Sequence, residues 1–411
     1  MKNEFNKKPK YTILLPTWNK IEYLKHSINS VITNDYNNFE LLISDDHSTD
    51  GTDEYLKGIR DERVKIYKPP FKLSQTKNYE FLLKKAQGEW IATLGDDDGL
   101  MPNFFSKIDE VTSKFKDIEI IKSKRAIYYW KGVDDLYGSR VVYFEDLNKK
   151  STLRSTKTDL FLSLCGLRNS QDIPTIYTSG VIKRTLINKI KKKSNNFFFH
   201  SIIPDYYSMV ALSYEEKKYL FLQNPITWIG VSPLSAGRSR RIYLEKKKVS
   251  NEDFINENMG LSGKMSKILH KAGIYPAYLF EAILKHPYIS NYWKSNFIRT
   301  IVYSSCTILF LEKKKQLPFR LKINLSKKLF FYTLLKDKKK YKLSFTLYFL
   351  FFFLLFFINK SFKFYNRLIF LIEKYSKKFF KFKTLILVSN DRNKYPSFTV
   401  LNELLKKKHD L

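Results

Sequence analysis

Cysteine is almost missing from this chain: 411 residues hold only Cys165 and Cys306, far apart in sequence. Two such cysteines build no disulfide framework, and the composition suits a reducing compartment. Glycine is sparse too, at 14 residues. No Gly-x-Gly-x-x-Gly follows the first apolar run, and no Gly-Lys-Ser/Thr loop occurs anywhere, so a phosphate ligand must be met by a metal and basic side chains instead of a glycine cradle. The six histidines show no metal-ligand spacing. A secretory leader is not expected, because Met1–Lys10 is polar and Tyr11–Leu15 is too short for its apolar core. The longest apolar run, Leu343–Ile358, is short of the ~20 residues that span a bilayer. No internal repeat is evident.

Acidic charge is also in deficit, with a formal net charge of +33. The imbalance is not uniform. Residues 1–110 carry 16 basic and 18 acidic side chains, whereas residues 111–411 carry 57 and 22. The later part therefore expects an anionic partner, whether membrane phospholipid, anionic glycolipid or nucleic acid. A general lysine bias of the coding sequence is the competing explanation. With 44% hydrophobic residues the chain can bury a sizeable core, and its length predicts two units.

Strand and helix patterns alternate at first. Tyr11–Leu15 reads as a buried strand ended by Pro16, and Asn19 with Glu22 has capping-box spacing before a helix whose inner face is Ile21, Leu24, Ile28, Val31 and Ile32. Phe39–Ser44 is a second strand that delivers Asp45-Asp46 into His47-Ser48-Thr49-Asp50-Gly51. Val64–Tyr67 is a third, Ser74–Ala86 a helix stopped by Gly88, and Trp90–Leu94 a fourth strand. This order predicts a mostly parallel sheet with helices on both faces. Further on, Ile118–Ile121, Ala126–Trp130 and Val141–Phe144 read as strands, Ser151–Leu164 as a helix and Pro174–Ile182 as a strand with a small-residue break. Pro204-Asp205 opens a helix, the proline at its first position and the carboxylate facing the positive dipole end.

The fourth strand runs straight into Asp96-Asp97-Asp98. Three adjacent carboxylates repel one another, and folding gains nothing from them unless a cation sits between them. Alone they read as an acidic turn. If the strands are parallel, however, Pro16-Thr17, Asp45-Asp46 and the aspartate triplet gather at one sheet edge, where an open α/β sheet binds its ligand.

Taken together, Ile13-Leu14-Leu15-Pro16-Thr17-Trp18-Asn19, Ser44-Asp45-Asp46-His47-Ser48-Thr49-Asp50-Gly51-Thr52 and Gly88-Glu89-Trp90-Ile91 leading to Gly95-Asp96-Asp97-Asp98 resemble the family 2 glycosyltransferases of the GT-A fold, over residues 10–240. The resemblance implies a Rossmann-like α/β domain at 1–240 and an inverting transfer of sugar from a nucleotide-diphosphate donor, with uridine diphosphate fitting best. It implies that Pro16, Thr17 and Trp18 line the donor site and that Asp46 accepts from a uracil N–H. Asp96 would lie near the ribose, and Asp97 with its neighbour Asp98 would hold Mn²⁺ or Mg²⁺. Gly95 stands where many relatives have the first Asp of Asp-x-Asp-Asp, which leaves open which carboxylate touches the metal. Lys77, beside Asn78, would serve the diphosphate, and Asp205 matches the catalytic base. The expected acceptor is a hydroxyl of a surface glycan or glycolipid.

Residues 241–411 form a basic, aromatic-rich and mainly helical C-terminal region. Arg238, Arg240 and Arg241 lie at the boundary between the two regions, on a polar loop from Ser232 to Arg241 that either clamps a diphosphate or is simply solvated. Leu343–Ile358 lies between Lys336–Lys342 and Lys360–Arg367 and is a buried core helix, an interfacial insertion or a short span; interfacial attachment to an anionic membrane fits best. The expected location is the cytoplasmic face of a bacterial membrane. Two other readings stand beside this one: a polyanion- or nucleic-acid-binding protein, motivated by charge alone and opposed by the lack of any RNA-binding motif, and an inactive relative that binds a nucleotide sugar. No specific nucleic acid is expected as a partner.

Overall fold

A computed structural model describes residues 8–133, 141–146, 150–177, 179–201, 203–235, 275–313, 350–355, 357–358, 384–389 and 397–409. The arginines at 238–241, Lys336–Lys342, Leu343–Phe349 and Lys360–Arg367 lie outside the described residues.

Four strands form the parallel half of an eight-stranded sheet: β1 (Tyr11–Thr17), β2 (Phe39–Asp45), β3 (Val64–Tyr67) and β4 (Trp90–Thr93). Their spatial order is β3-β2-β1-β4, with Thr17 in register with Asp45 and Leu14 with Thr93. The sheet continues through β10 (Gly180–Lys183), β6 (Ile120–Ser123), β11 (Lys218–Leu222) and β9 (Thr152–Ser155). Because β10 runs antiparallel to both its neighbours, the sheet is mixed although mostly parallel.

Side chains alternate along β1 and β2, and they sort into two cores. Ile13, Leu15, Leu41 and Ile43 face α1 (Ile21–Ile32) and α4 (Phe104–Lys114) through Leu24, Ile28, Val31, Phe104 and Ile108. Leu14, Leu42, Ile91 and Ile182 face the other way, onto α3 (Gln75–Leu83), α5 (Thr156–Leu164), α6 (Arg184–Lys193) and α7 (Pro204–Glu215). Period-two alternation with apolar residues on both faces is what a sheet covered by helices requires. The result is the expected GT-A-like α/β arrangement, and a helical region follows it. That region includes α8 (Tyr275–Lys285) and α9 (Asn296–Lys313), whose Leu279, Phe280, Ile283, Ile298, Val302 and Cys306 join the second core.

A second sheet, not foreseen from sequence, has the order β13-β8-β7-β12-β5, from Thr384–Ser389, Val141–Asp146, Ala126–Tyr129, Thr227–Val231 and Gly99–Leu100. Its first strand comes from the C-terminal region and pairs with β8 over all six residues. The last helix, α10 (Phe398–His409), follows it and packs Leu401 and Leu405 against Trp130 and Trp228.

Three local expectations need correction. Asn19 does not cap α1: it takes φ +52°, Lys20 is the cap residue without a side-chain bond, and the free Ile21 N–H donates to Asp50 Oδ2 at 2.9 Å. The cap comes from across the sheet edge. Ser151–Leu164 is not one helix, because Thr152–Ser155 is drawn into a ladder with β11 and Ser155 then caps α5. In Pro174–Ile182 only Gly180 onward is strand; Tyr177 makes an isolated bridge to Thr93.

Candidate active site

Parallel pairing of β1, β2 and β4 brings their C-terminal ends together, so residues far apart in sequence meet at one edge. Pro16 and Thr17 are buried in the last turn of β1. Trp18, just beyond, is 47% exposed, and Lys72 Nζ lies 3.7 Å from its ring centroid. An aromatic face left open at a sheet's ligand edge is a stacking surface.

The loop after β2 is self-bracing. Asp45 Oδ1 accepts from Ser48 N–H at 3.1 Å, Asn19 N–H donates to Ser48 Oγ at 2.9 Å, and Thr49 N–H donates to Asn19 Oδ1 at 2.7 Å. Asp46 is buried and accepts from Leu73 N–H at 2.8 Å. Burial raises its carboxyl above the ordinary carboxylate range, and that hydrogen bond opposes the rise. Lys77, on the first turn of α3, is exposed; its backbone N–H donates to Ser74 Oγ.

The three aspartates have three different surroundings. Asp96 Oδ1 is 2.7 Å from Lys20 Nζ and its Oδ2 accepts from Thr17 Oγ1 at 3.1 Å. Burial raises the Asp96 carboxyl, and Lys20 counters it. Asp98 faces inward, with Oδ1 accepting from Gly230 N–H at 2.8 Å and Oδ2 from Gly95 N–H at 3.0 Å. Asp97 uses one oxygen only: Oδ2 accepts from the hydroxyls of Ser232 and Ser235, and Oδ1 has no hydrogen-bond partner among the described residues.

Packing explains the glycine in this motif. A Cβ on Gly95 would stand 2.7 Å from Asp98 Oδ2 and 2.8 Å from Tyr177 Oη, so the space for a first aspartate is already filled. Beneath the loop, Gly230 leaves room for the Asp97 carbonyl, which a Cβ would meet at 1.6 Å and which accepts from Trp130 Nε1 at 2.9 Å.

Asp205 sits at the second position of α7, after Pro204. Its backbone carbonyl accepts from Ser208 Oγ at 2.8 Å, and Ser208 Oγ is 2.9 Å from Thr175 Oγ1. Thr175 belongs to the segment that carries Tyr177, whose hydroxyl lies against Gly95. Burial pushes the Asp205 carboxyl up to about 6, while Arg125 and Lys122 pull the other way. Burial also lowers Arg125, to about 10, and Lys122 well below a free lysine. Lys122 Nζ donates to Ser179 Oγ at 2.5 Å. Tyr79 and Tyr177 are held neutral chiefly by burial, and both feel the charges of Asp205, Asp97 and Asp98.

The structure thus gathers Pro16, Thr17, Trp18, Asp46 and Asp96–Asp98 at one edge, with Asp205 in the same electrostatic neighbourhood. Lys20, Lys122, Arg125, Ser232 and Ser235 were not anticipated. Lys20 directly follows the Pro-Thr-Trp-Asn stretch and was the one readable signal.

Among the described residues no group of three His, Cys, Asp or Glu is placed to hold a metal. The donor set instead fits a hard cation bound by one carboxylate oxygen, Asp97 Oδ1, and otherwise by ligand phosphates and water, as Mg²⁺ sites often are.

Residues 12–166 match the family model described as Glycosyl transferase family 2. A Campylobacter jejuni protein named GalNAc(5)-diNAcBac-PP-undecaprenol beta-1,3-glucosyltransferase is 30% identical over 103 residues, 24% of this chain and 33% of its own. An uncharacterized glycosyltransferase of Haemophilus influenzae is 36% identical over 92 residues, 22% of this chain and 37% of its own. The chain therefore spans about a third of the length of these relatives. Residues 1–349 of S. aureus TarS, solved in complex with UDP-GlcNAc, superpose at a TM-score of 0.46 with 14% identity, covering 82% of this chain and 93% of that one.

Proposed function

We propose that this chain, whose residues 12–166 match the model described as Glycosyl transferase family 2, is a metal-dependent, inverting glycosyltransferase that moves a sugar from a uridine-diphosphate donor to a hydroxyl of a surface glycan. What supports this reading is a sheet edge where Asp97 keeps Oδ1 without a hydrogen-bond partner among the described residues, together with Asp205 at the start of α7, a carboxylate that burial makes more basic. Pro16, Thr17 and Trp18 frame the base, Asp46 accepts from its N–H, and Asp96, paired with Lys20, meets the ribose. Lys77 serves the diphosphate as a point charge. Asp97 is the metal carboxylate, and a bound Mn²⁺ or Mg²⁺ supplies charge neutralisation for the leaving diphosphate. Asp98, with both oxygens on backbone N–H groups, holds the loop.

Asp205 takes the proton of the acceptor hydroxyl as the acceptor oxygen bonds to the sugar's anomeric carbon and the bond to the diphosphate breaks, inverting the centre. A carboxylate raised to about 6 is mostly ionised at neutral pH yet more basic than a free one.

The acceptor class follows the C. jejuni relative, whose name gives a PP-undecaprenol substrate: a lipid-linked glycan. The same proposal divides the chain into a transferase domain at 1–240 and a basic region at 241–411, and places it peripherally on the cytoplasmic side of an anionic membrane. Among the described residues no helix is long and apolar enough to cross one. Screening nucleotide sugars for nucleotide release with Mn²⁺ or Mg²⁺, then with EDTA, tests the chemistry. Release that ignores EDTA overturns the metal assignment, and donor binding without any turnover favours an inactive relative.

A further inference from the structure

The last helix, α10, lies behind the aspartate loop, and its contacts converge there. Asn402 Nδ2 donates to the Leu100 carbonyl at 2.9 Å, across 302 residues of sequence, and its Oδ1 accepts from Trp228 Nε1 at 2.8 Å. Leu401 and Leu405 are buried in one cluster with Met101, Trp130 and Trp228. Thr399 Oγ1 lies 3.1 Å from His26 Nδ1, and the His26 ring is 5.3 Å from that of Trp130. Lys406 Nζ donates to the carbonyl of Thr33, where α1 ends, at 3.0 Å. One helix thus touches α1, the second sheet and the short strand that leaves the aspartate loop.

Two of these paths lead to Asp97. Trp130, against Tyr23, His26 and the α10 leucines, donates its Nε1–H to the Asp97 carbonyl at 2.9 Å. Leu100, three residues beyond Asp97, is held at its carbonyl by Asn402 and at its N–H by Ser30 Oγ, 3.0 Å away. Ser232 and Ser235 fix the Asp97 side chain through Oδ2, so the place of Oδ1 follows from where the main chain at Asp97 is held. Holding is needed, because adjacent buried carboxylates repel one another and tend to spread the loop. A cation bound through one carboxylate oxygen depends on the groups that orient that carboxylate.

We propose that α10 is a brace for the metal loop and that Trp130 is the positioning residue through which it sets Asp97 for its cation. This rests on Asp97 being the metal carboxylate, as proposed above.

The test is calorimetric binding of uridine diphosphate, with Mn²⁺ and with EDTA, to the full chain and to two full-length variants. Trp130→Phe keeps an aromatic ring in the cluster and deletes the N–H that meets Asp97. Leu401→Ala/Leu405→Ala loosens α10 and leaves the aspartate loop itself unchanged. Each should weaken binding with Mn²⁺ by about 10–100-fold and leave binding in EDTA as it was. Hydrogen exchange gives a second readout. The amides of Asp98, Leu100 and Met101, bonded to Gly95, Ser30 and Ile226, should exchange faster in the double variant, and those of β1 and β2 at the same rate. The proposal is overturned if either variant keeps its Mn²⁺ affinity, or if both affinities fall together, as a general loosening of the fold would make them. Amides at 98–101 that stay protected while α10 exchanges freely overturn it too. A wild-type chain that ignores Mn²⁺ removes the metal assignment of Asp97 and this role with it, whereas a wild type that responds beside variants that respond as strongly overturns the brace alone.

Discussion

Replacing Asp205 by Asn should make this protein more stable and inactive at once. Burial raises the Asp205 carboxyl from its ordinary 3.8 to about 6. The folded chain therefore holds this proton to a higher pH than the unfolded chain does, and ionising the group costs free energy that is absent below about pH 4 and fully present above about pH 6. About two pKa units correspond to about 3 kcal/mol. An amide of the same shape escapes that cost, so Asp205→Asn should gain up to about 3 kcal/mol at pH 8 and nothing at pH 4. Urea denaturation of both chains from pH 4 to pH 8 measures the difference. In parallel, loss of a general base should cut turnover by roughly 10²–10⁴-fold. A variant whose stability difference does not change with pH would mean that Asp205 is not a buried, raised carboxyl, and one that keeps full turnover would remove it as the base.

Other outcomes follow from the same contacts. Gly95→Ala should cost about 2–4 kcal/mol in a thermal melt, because its Cβ displaces Asp98 from two backbone donors. Lys122→Met removes a cation near Asp205, so the acid limb of kcat/KM should move to higher pH; an unmoved limb would mean that Lys122 only orders Ser179. Asn402 accepts from Trp228 Nε1 at 2.8 Å and donates to the Leu100 carbonyl at 2.9 Å, so Asn402→Leu removes both of these buried bonds and should cost about 2–4 kcal/mol in urea denaturation.

The parallel half of the fold was legible because β1, β2 and β4 are short apolar runs bounded by Pro, Asp and Gly, and burial on both faces leaves such runs little choice. The same runs located the site edge, since residues at strand ends of a parallel sheet must converge. What could not be read depends on long-range partners. Asn19 has the spacing of a cap, but Asp50, on the next loop, supplies it. Thr152–Ser155 looks helical until β11 offers it a ladder. Asp96, Asp97 and Asp98 are identical in sequence and differ through their partners, among them Lys20, Ser232, Ser235 and the backbone of Gly230, the last three of which lie 132 to 138 residues further along the chain. The second sheet draws on β13, whose pairing with β8 joins segments from the middle and end of the chain.

If Asp97 is the metal end of a nucleotide-diphosphate site, calorimetric titration of uridine diphosphate into the protein should show at least tenfold tighter binding with Mn²⁺ than with EDTA, lost in Asp97→Asn and kept in Asp205→Asn; equal affinity in EDTA, or an Asp97→Asn chain that still responds to Mn²⁺, would remove Asp97 from the metal site.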